Sequence, residues 1–173
     1  MSATTQTLVT RERGIMVRVL VAGALVGVLD MLYPIYLYTR VIAHVPAIRI
    51  PQSVASGLLG RAAFEGGLST AALGLLLHFT IAYGWTILYF VLLLKWEPLR
   101  RLSATGSGRV KAGLIYGLVV WFGMNIIVVP LSRANPAPLF SLNFFLQLIW
   151  HPIGIGLPIA LLVHDGVSPR FRT

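Results

Sequence analysis

Residues Val19–Leu37 read VLVAGALVGVLDMLYPIYL. The stretch is apolar throughout except at Asp30. It has about the length, roughly 20 residues, that carries a helix across a hydrocarbon core. A carboxylate at mid-span raises the insertion free energy by roughly 2.5 to 3.5 kcal/mol. Chains keep such a group where it has a polar partner or a task. The partners of Asp30 are therefore the first thing to find.

Three more apolar stretches follow. With the first, they predict spans at about 17–38, 67–94, 112–131 and 142–163. Of the 173 residues, 57% are hydrophobic and 11% charged, whereas soluble domains carry about 25% charged residues. That balance predicts an all-α, four-helix transmembrane bundle, formed by residues 1–173 as a single integral membrane domain. Runs this long exclude barrel strands, and only helices or closed barrels satisfy their backbone inside lipid. The chain has no cysteine, which removes disulfides, thiolate metal sites and cysteine nucleophiles.

The net charge of +9 does not point to nucleic acid, because the basic residues lie in short segments between apolar runs. Ten of them (Arg11, Arg13, Arg18, Lys95, Arg100, Arg101, Arg109, Lys111, Arg170 and Arg172) fall on one side of a four-span protein. Four (Arg40, Arg49, Arg61 and Arg133) fall on the other. The positive-inside rule then predicts an N-in/C-in arrangement with both termini cytoplasmic. Span 1 runs into Tyr33, Pro34, Tyr36 and Tyr38 without a small-residue cleavage site, so it is expected to be an uncleaved span.

A long extracytoplasmic loop or interfacial helix separates spans 1 and 2. From Gln52 it reads as helical, with Leu58, Leu59, Ala62 and Ala63 on one side. Arg61 and Glu65 stand at i,i+4 spacing and are candidate rim residues of a polar pocket.

Counting about 1.5 Å per residue from the outer ends puts Asp30 roughly 14 Å deep, His78 roughly 17 Å, His151 roughly 14 Å and Asn125 roughly 9 Å. Facing agrees with depth. Gly23, Gly27 and Asp30 share one face of span 1, and Gly74, His78 and Ala82 share one face of span 2. Asn143, Gln147 and His151 share a face of span 4. Gly23/Gly27 and Gly113/Gly117 are GxxxG pairs, the surfaces on which membrane helices approach closely. The expected site is a buried polar cluster of Asp30, His78 and His151, with Asn125 and Gln147, and Asn143, beside it.

Such a cluster fits proton or ion handling, since histidine titrates near neutral pH. Pro34, Pro130, Pro152 and Pro158 would free backbone carbonyls near it. Two other functional classes share the pattern. One is a structural or accessory subunit of a larger membrane complex, with the GxxxG faces binding partner helices or a second copy. The other is a b-type haem carrier with His78 and His151 as axial ligands. A divalent metal at His78 and His151 lacks any HxxxH or HExxH spacing, so no cofactor is expected. No Gly-x-Ser-x-Gly turn or paired carboxylates appear, and the chain reads as non-enzymatic, with no catalytic residue assigned.

The stretch Lys111–Pro130 with Gly113 and Gly117, Val129-Pro130-Leu131, the Pro136-Ala137-Pro138-Leu139-Phe140 loop and His151 distantly resembles the YagU-like family. His78-Phe79 and Ala82-Tyr83-Gly84 are similar too. The resemblance spans the second to fourth apolar stretches. It implies a small helical bundle of the bacterial plasma (inner) membrane, an association with acid resistance, and no catalytic residue.

Overall fold

The structure, a computed structural model, describes residues 3–135, 138 and 140–167, with side chains for 13–135, 138 and 140–164. Arg11, Arg170, Arg172 and residues 136, 137 and 139 of the expected loop motif lie outside that side-chain description. All regular structure among the described residues is helical. Four helical segments are long and apolar enough to cross a membrane: Arg13–Ile42, Gly67–Lys95, Gly106–Leu131 and Leu142–His164.

Span 1 is helix α1 (Ala3–Tyr36), continued by a π-helical turn, Leu37–Ile42. It begins well before the expected start near residue 17, because no glycine or proline lies between Ala3 and Arg13 to stop a helix. Helix α2 (Arg49–Leu59) and a 3₁₀ turn (Gly60–Phe64) follow. Span 2 is α3 (Gly67–Lys95), and a short helix α4 (Glu97–Leu102) links it to span 3. Span 3 comprises α5 (Gly106–Phe122), a π-turn (Gly123–Val128) and the single turn α6 (Val129–Leu131). Span 4 comprises α7 (Leu142–Trp150), a π-turn (His151–Gly156) and α8 (Leu157–Val167).

Sequence chemistry accounts for several ends. Thr105 caps α5 by accepting from the Gly108 amide at 3.0 Å, and Ser141 caps α7 by accepting from the Phe144 amide at 3.2 Å. Thr105→Ala should cost about 1 kcal/mol, the usual value of an N-cap, read as a lower melting temperature of the purified protein. On α4, Arg101 Nε donates to Glu97 at 2.8 Å across one turn. Both side chains are exposed, so that pair adds little.

Lipid tails are as apolar as leucine, so close packing rather than water exclusion holds such a bundle. The α4 end is packed solid. Ala22 and Val26 of α1, Tyr89 and Leu93 of α3, Tyr116 and Val120 of α5, and Ile159 and Val163 of α8 form one core. The Tyr89 and Tyr116 rings meet edge-on at 4.8 Å, and Tyr116 Oη donates to the Trp85 carbonyl at 2.6 Å.

Both GxxxG faces are filled within the chain. Side chains in place of Gly23 and Gly27 would strike the Tyr83 and Phe79 rings of α3. Gly113 lies against Leu157 and Ala160, and Gly117 against the backbone of His151 and Pro152. Neither face is left open for a second copy.

Helix α2 docks on the start of α3 rather than lying loose at an interface. Gly74 leaves room for the Pro51 carbonyl, which any side chain would displace. Gln52 Nε2 donates to the Gly67 carbonyl at 3.0 Å and to Thr70 Oγ1 at 3.3 Å, and Thr70 Oγ1 donates to the Ala63 carbonyl at 2.6 Å. Arg49 donates to the Phe64 carbonyl at 3.2 Å, its guanidinium 5.4 Å from the Phe64 ring centre. The Arg133 amide donates to the Gly57 carbonyl at 2.9 Å, so α2 also holds the segment after span 3. The buried side of α2 is Ile50, Pro51, Gln52, Ala55 and Ser56. Of Leu58, Leu59, Ala62 and Ala63, expected on one side, the first three are exposed and Ala63 is buried. The close approach of α2 to α3 at Gly74 puts the Pro51 carbonyl, with Ala55 beside it, on the protein-facing side.

Candidate functional site

At the α2 end the four spans do not close on one another. They enclose a cavity of about 800 Å³. Val26, Val120 and Ile155, all members of the packed core, form its floor with Trp85. Its mouth is framed by α2, the following 3₁₀ turn and the segment after span 3, with Arg49, Arg61 and Arg133 in the lining.

Asp30, His78, His151, Asn125, Gln147 and Asn143 all line this one cavity. Their individual bonds show how each is held. His78 Nε2 lies 2.9 Å from the Gly27 carbonyl of α1. A carbonyl only accepts, so that nitrogen carries the proton and donates. The bond ties span 2 to span 1 one helical turn before Asp30. Cross-helix bonds of this kind average about 0.6 kcal/mol in membranes. His78→Phe should therefore lower the melting temperature only slightly, read by intrinsic fluorescence in detergent.

His151 Nδ1 donates to the Gln147 carbonyl at 2.9 Å. This fixes the ring by its own helix and leaves Nε2 as the acceptor nitrogen. Asp30 and His151 form no direct ion pair. Gln147 Nε2 donates to Asn143 Oδ1 at 3.2 Å, and Asn125 Nδ2 donates to the Trp121 carbonyl at 2.9 Å. The two amides on span 4 order each other, while Asn125 is anchored on its own helix. The Tyr33 and Trp150 rings stack at 4.3 Å, only 6° from parallel, closing the wall between spans 1 and 4.

Three π-turns surround the site, and each contributes lining residues: Tyr38 from the first, Met124, Asn125 and Val128 from the second, His151 and Ile155 from the third. Each lies beside a proline. Pro34 has no N–H to offer the Asp30 carbonyl four residues back, Pro130 none for Ile126, Pro152 none for Leu148 and Pro158 none for Gly154. The helices accommodate the missing donors by widening, as π-turns at functional sites do.

Other expected features differ. Arg61 lines the cavity, whereas Glu65 is exposed and off the lining. Residues 60–64 form a 3₁₀ turn, so the α-helical i,i+4 register assumed for that pair does not exist, and the two form no ion pair. Among the described residues no group of three or more His, Asp or Glu is placed to hold a metal ion. A b-type haem bound by both histidines would need an open nitrogen on each ring facing the iron. With Nε2 donating to Gly27, the open nitrogen of His78 is Nδ1, as Nε2 is that of His151. His164, near the end of span 4, is buried.

Arg49, Arg133, Trp85 and Trp150 were not foreseeable as lining residues from helical periodicity. Their placement depends on how α2 and the segment after span 3 fold back over the bundle, and the only sequence signal was the surplus of unpaired basic residues outside the spans. No protein-family model matches the chain, and neither the curated proteins nor the solved structures hold a match to it.

Proposed function

We propose that this chain is a multi-pass protein of a bacterial plasma membrane, with both termini cytoplasmic. Its cavity opens on the extracytoplasmic side and takes up protons or small cations at Asp30 and His151. The ten-to-four bias of basic residues supports this orientation. The YagU-like resemblance supports the membrane and a role in tolerance of acid or envelope stress. The observation that carries the reading is that Asp30 and His151 line one chamber among the four spans, above the Val26–Val120–Ile155 floor. A carboxylate in a span is costly unless charge is received there. An imidazole in the same chamber makes the pair able to hold or pass one proton.

The test is proton uptake into proteoliposomes loaded with a pH-sensitive dye, with the outer pH stepped from 7.5 to 5. Wild-type protein should acidify the lumen faster than protein-free liposomes. Asp30→Asn should cut the rate by roughly tenfold or more, since charge no longer alternates at the site. Uptake by Asp30→Asn at the wild-type rate, or none by the wild type, would sink the reading. The accessory-subunit alternative loses its named surfaces, because both GxxxG faces are occupied internally.

A further inference from the structure

We propose that the cavity holds an amphipathic anion, with a carboxylate, phosphate or sulfonate head at the Arg49–Arg61–Arg133 mouth and an apolar chain inside. This goes beyond proton handling at Asp30 and stands independently of it, because it rests on the mouth and walls.

The charge layout is polar along the cavity axis. Three guanidiniums line the mouth, and Asp30 is the only acidic residue in the described lining. Guanidinium is the side chain best shaped to grip carboxylate or phosphate, through two parallel N–H bonds. Arg49 is held in place by the Phe64 carbonyl and ring. Arg61 and Arg133 are exposed, and among the described residues their guanidiniums have no hydrogen bond or ion pair, so their donors remain available. Asp30, deep in the chamber, repels an anion from the floor. The two ends together orient an amphiphile with its head outward.

The walls match the other half of such a molecule. Met31, Leu77, Ile81, Met124, Val128 and Val129 give them an apolar surface, and the two methionines are pliant enough to follow a flexible chain. A volume of about 800 Å³ lies within the roughly 300–1,000 Å³ of small-molecule sites. A bare inorganic anion would leave most of that volume and all of that surface unused.

The experiment uses the full chain purified in detergent, with cis-parinaric acid as the fluorescent probe and its methyl ester as the uncharged comparator. The acid should bind saturably and at least about tenfold more tightly than the ester, a gap of about 1.4 kcal/mol. Arg61→Gln with Arg133→Gln should erase that gap, and both positions are exposed, so folding is not at stake. Ile81→Trp, which narrows the chamber at its apolar wall, should weaken binding of acid and ester alike. Displacement by a short-chain phosphatidylglycerol would identify the membrane as the source. Displacement by a saturated fatty acid but not by phosphatidylglycerol would identify a free amphiphile. Equal binding of acid and ester, an undiminished gap in the double variant, or displacement by inorganic phosphate alone would overturn the proposal. The Arg61→Gln, Arg133→Gln double variant should lose the acid–ester gap while keeping wild-type proton uptake, so the two readings fail separately.

Discussion

Gly117→Val should destabilise the protein more than any substitution of a cavity residue. A Cβ at Gly117 would fall inside contact distance of the His151 carbonyl and of the Pro152 backbone. Neither neighbour is the end of a flexible side chain that could swing away. Gly156 faces the same seam from the other helix, against Gly113 and Gly117, so there is no slack on either side. The valine must therefore push the His151–Gly156 turn bodily outward. Overpacking a tight core costs about 1–3 kcal/mol, and here the resisting atoms are backbone. For a chain of this size that predicts a fall in melting temperature of roughly 5–10 °C, read by intrinsic tryptophan fluorescence in detergent. The control is Gly84→Val, a mid-span position with nothing within 4 Å of an added Cβ. Indistinguishable melting of the two variants would refute the account of the seam. The displaced turn also carries His151 on its first residue, so the same variant should lose proton uptake even at temperatures where it stays folded.

The link between that seam and the site explains what the sequence discloses and what it hides. Positions of Asp30, His78, His151 and Gln147 follow from helical arithmetic, because each lies on a long regular run whose small-residue stripe marks its inward face. The structure lines one cavity with all of them. Counting cannot supply the distance between them. Asp30 and His151 form no ion pair, while His78 bonds to the Gly27 carbonyl, a backbone atom that no side-chain pattern encodes. The prolines are visible as interruptions, but whether a helix answers a missing donor with a kink or a π-turn depends on its neighbours. The docking of α2 is hidden for a related reason. Leu58 and Leu59 look like a packing face to any hydrophobicity argument, yet in a bilayer an apolar side chain is equally at ease against lipid. What packs against protein is the small and polar side, Gln52, Ala55 and Ser56.

Gly74→Val should undock α2 and open the cavity mouth while leaving the four spans assembled. The added side chain would collide with the Pro51 carbonyl and crowd the Ala55 amide. These atoms belong to a helix of eleven residues, not to a span, so α2 is the element that yields. Its hydrogen bonds to the rest of the bundle are few: Gln52 to Gly67 and Thr70, and the Gly57–Arg133 backbone bond. If about 1–3 kcal/mol of overpacking goes into α2 opening, the open population rises roughly tenfold to a hundredfold. The chain has no native cysteine, so a single Asn125→Cys inside the cavity is a clean reporter. Its labelling by a water-soluble maleimide should accelerate by at least about tenfold in the Gly74→Val background. Melting of the spans should shift far less than in Gly117→Val, because the α4-end core of Tyr89, Leu93, Ile159 and Val163 is remote from α2. Unchanged labelling would mean that α2 does not control entry. Accelerated labelling together with a collapse in melting temperature would mean that α2 is part of the bundle's foundation rather than a cover over its mouth.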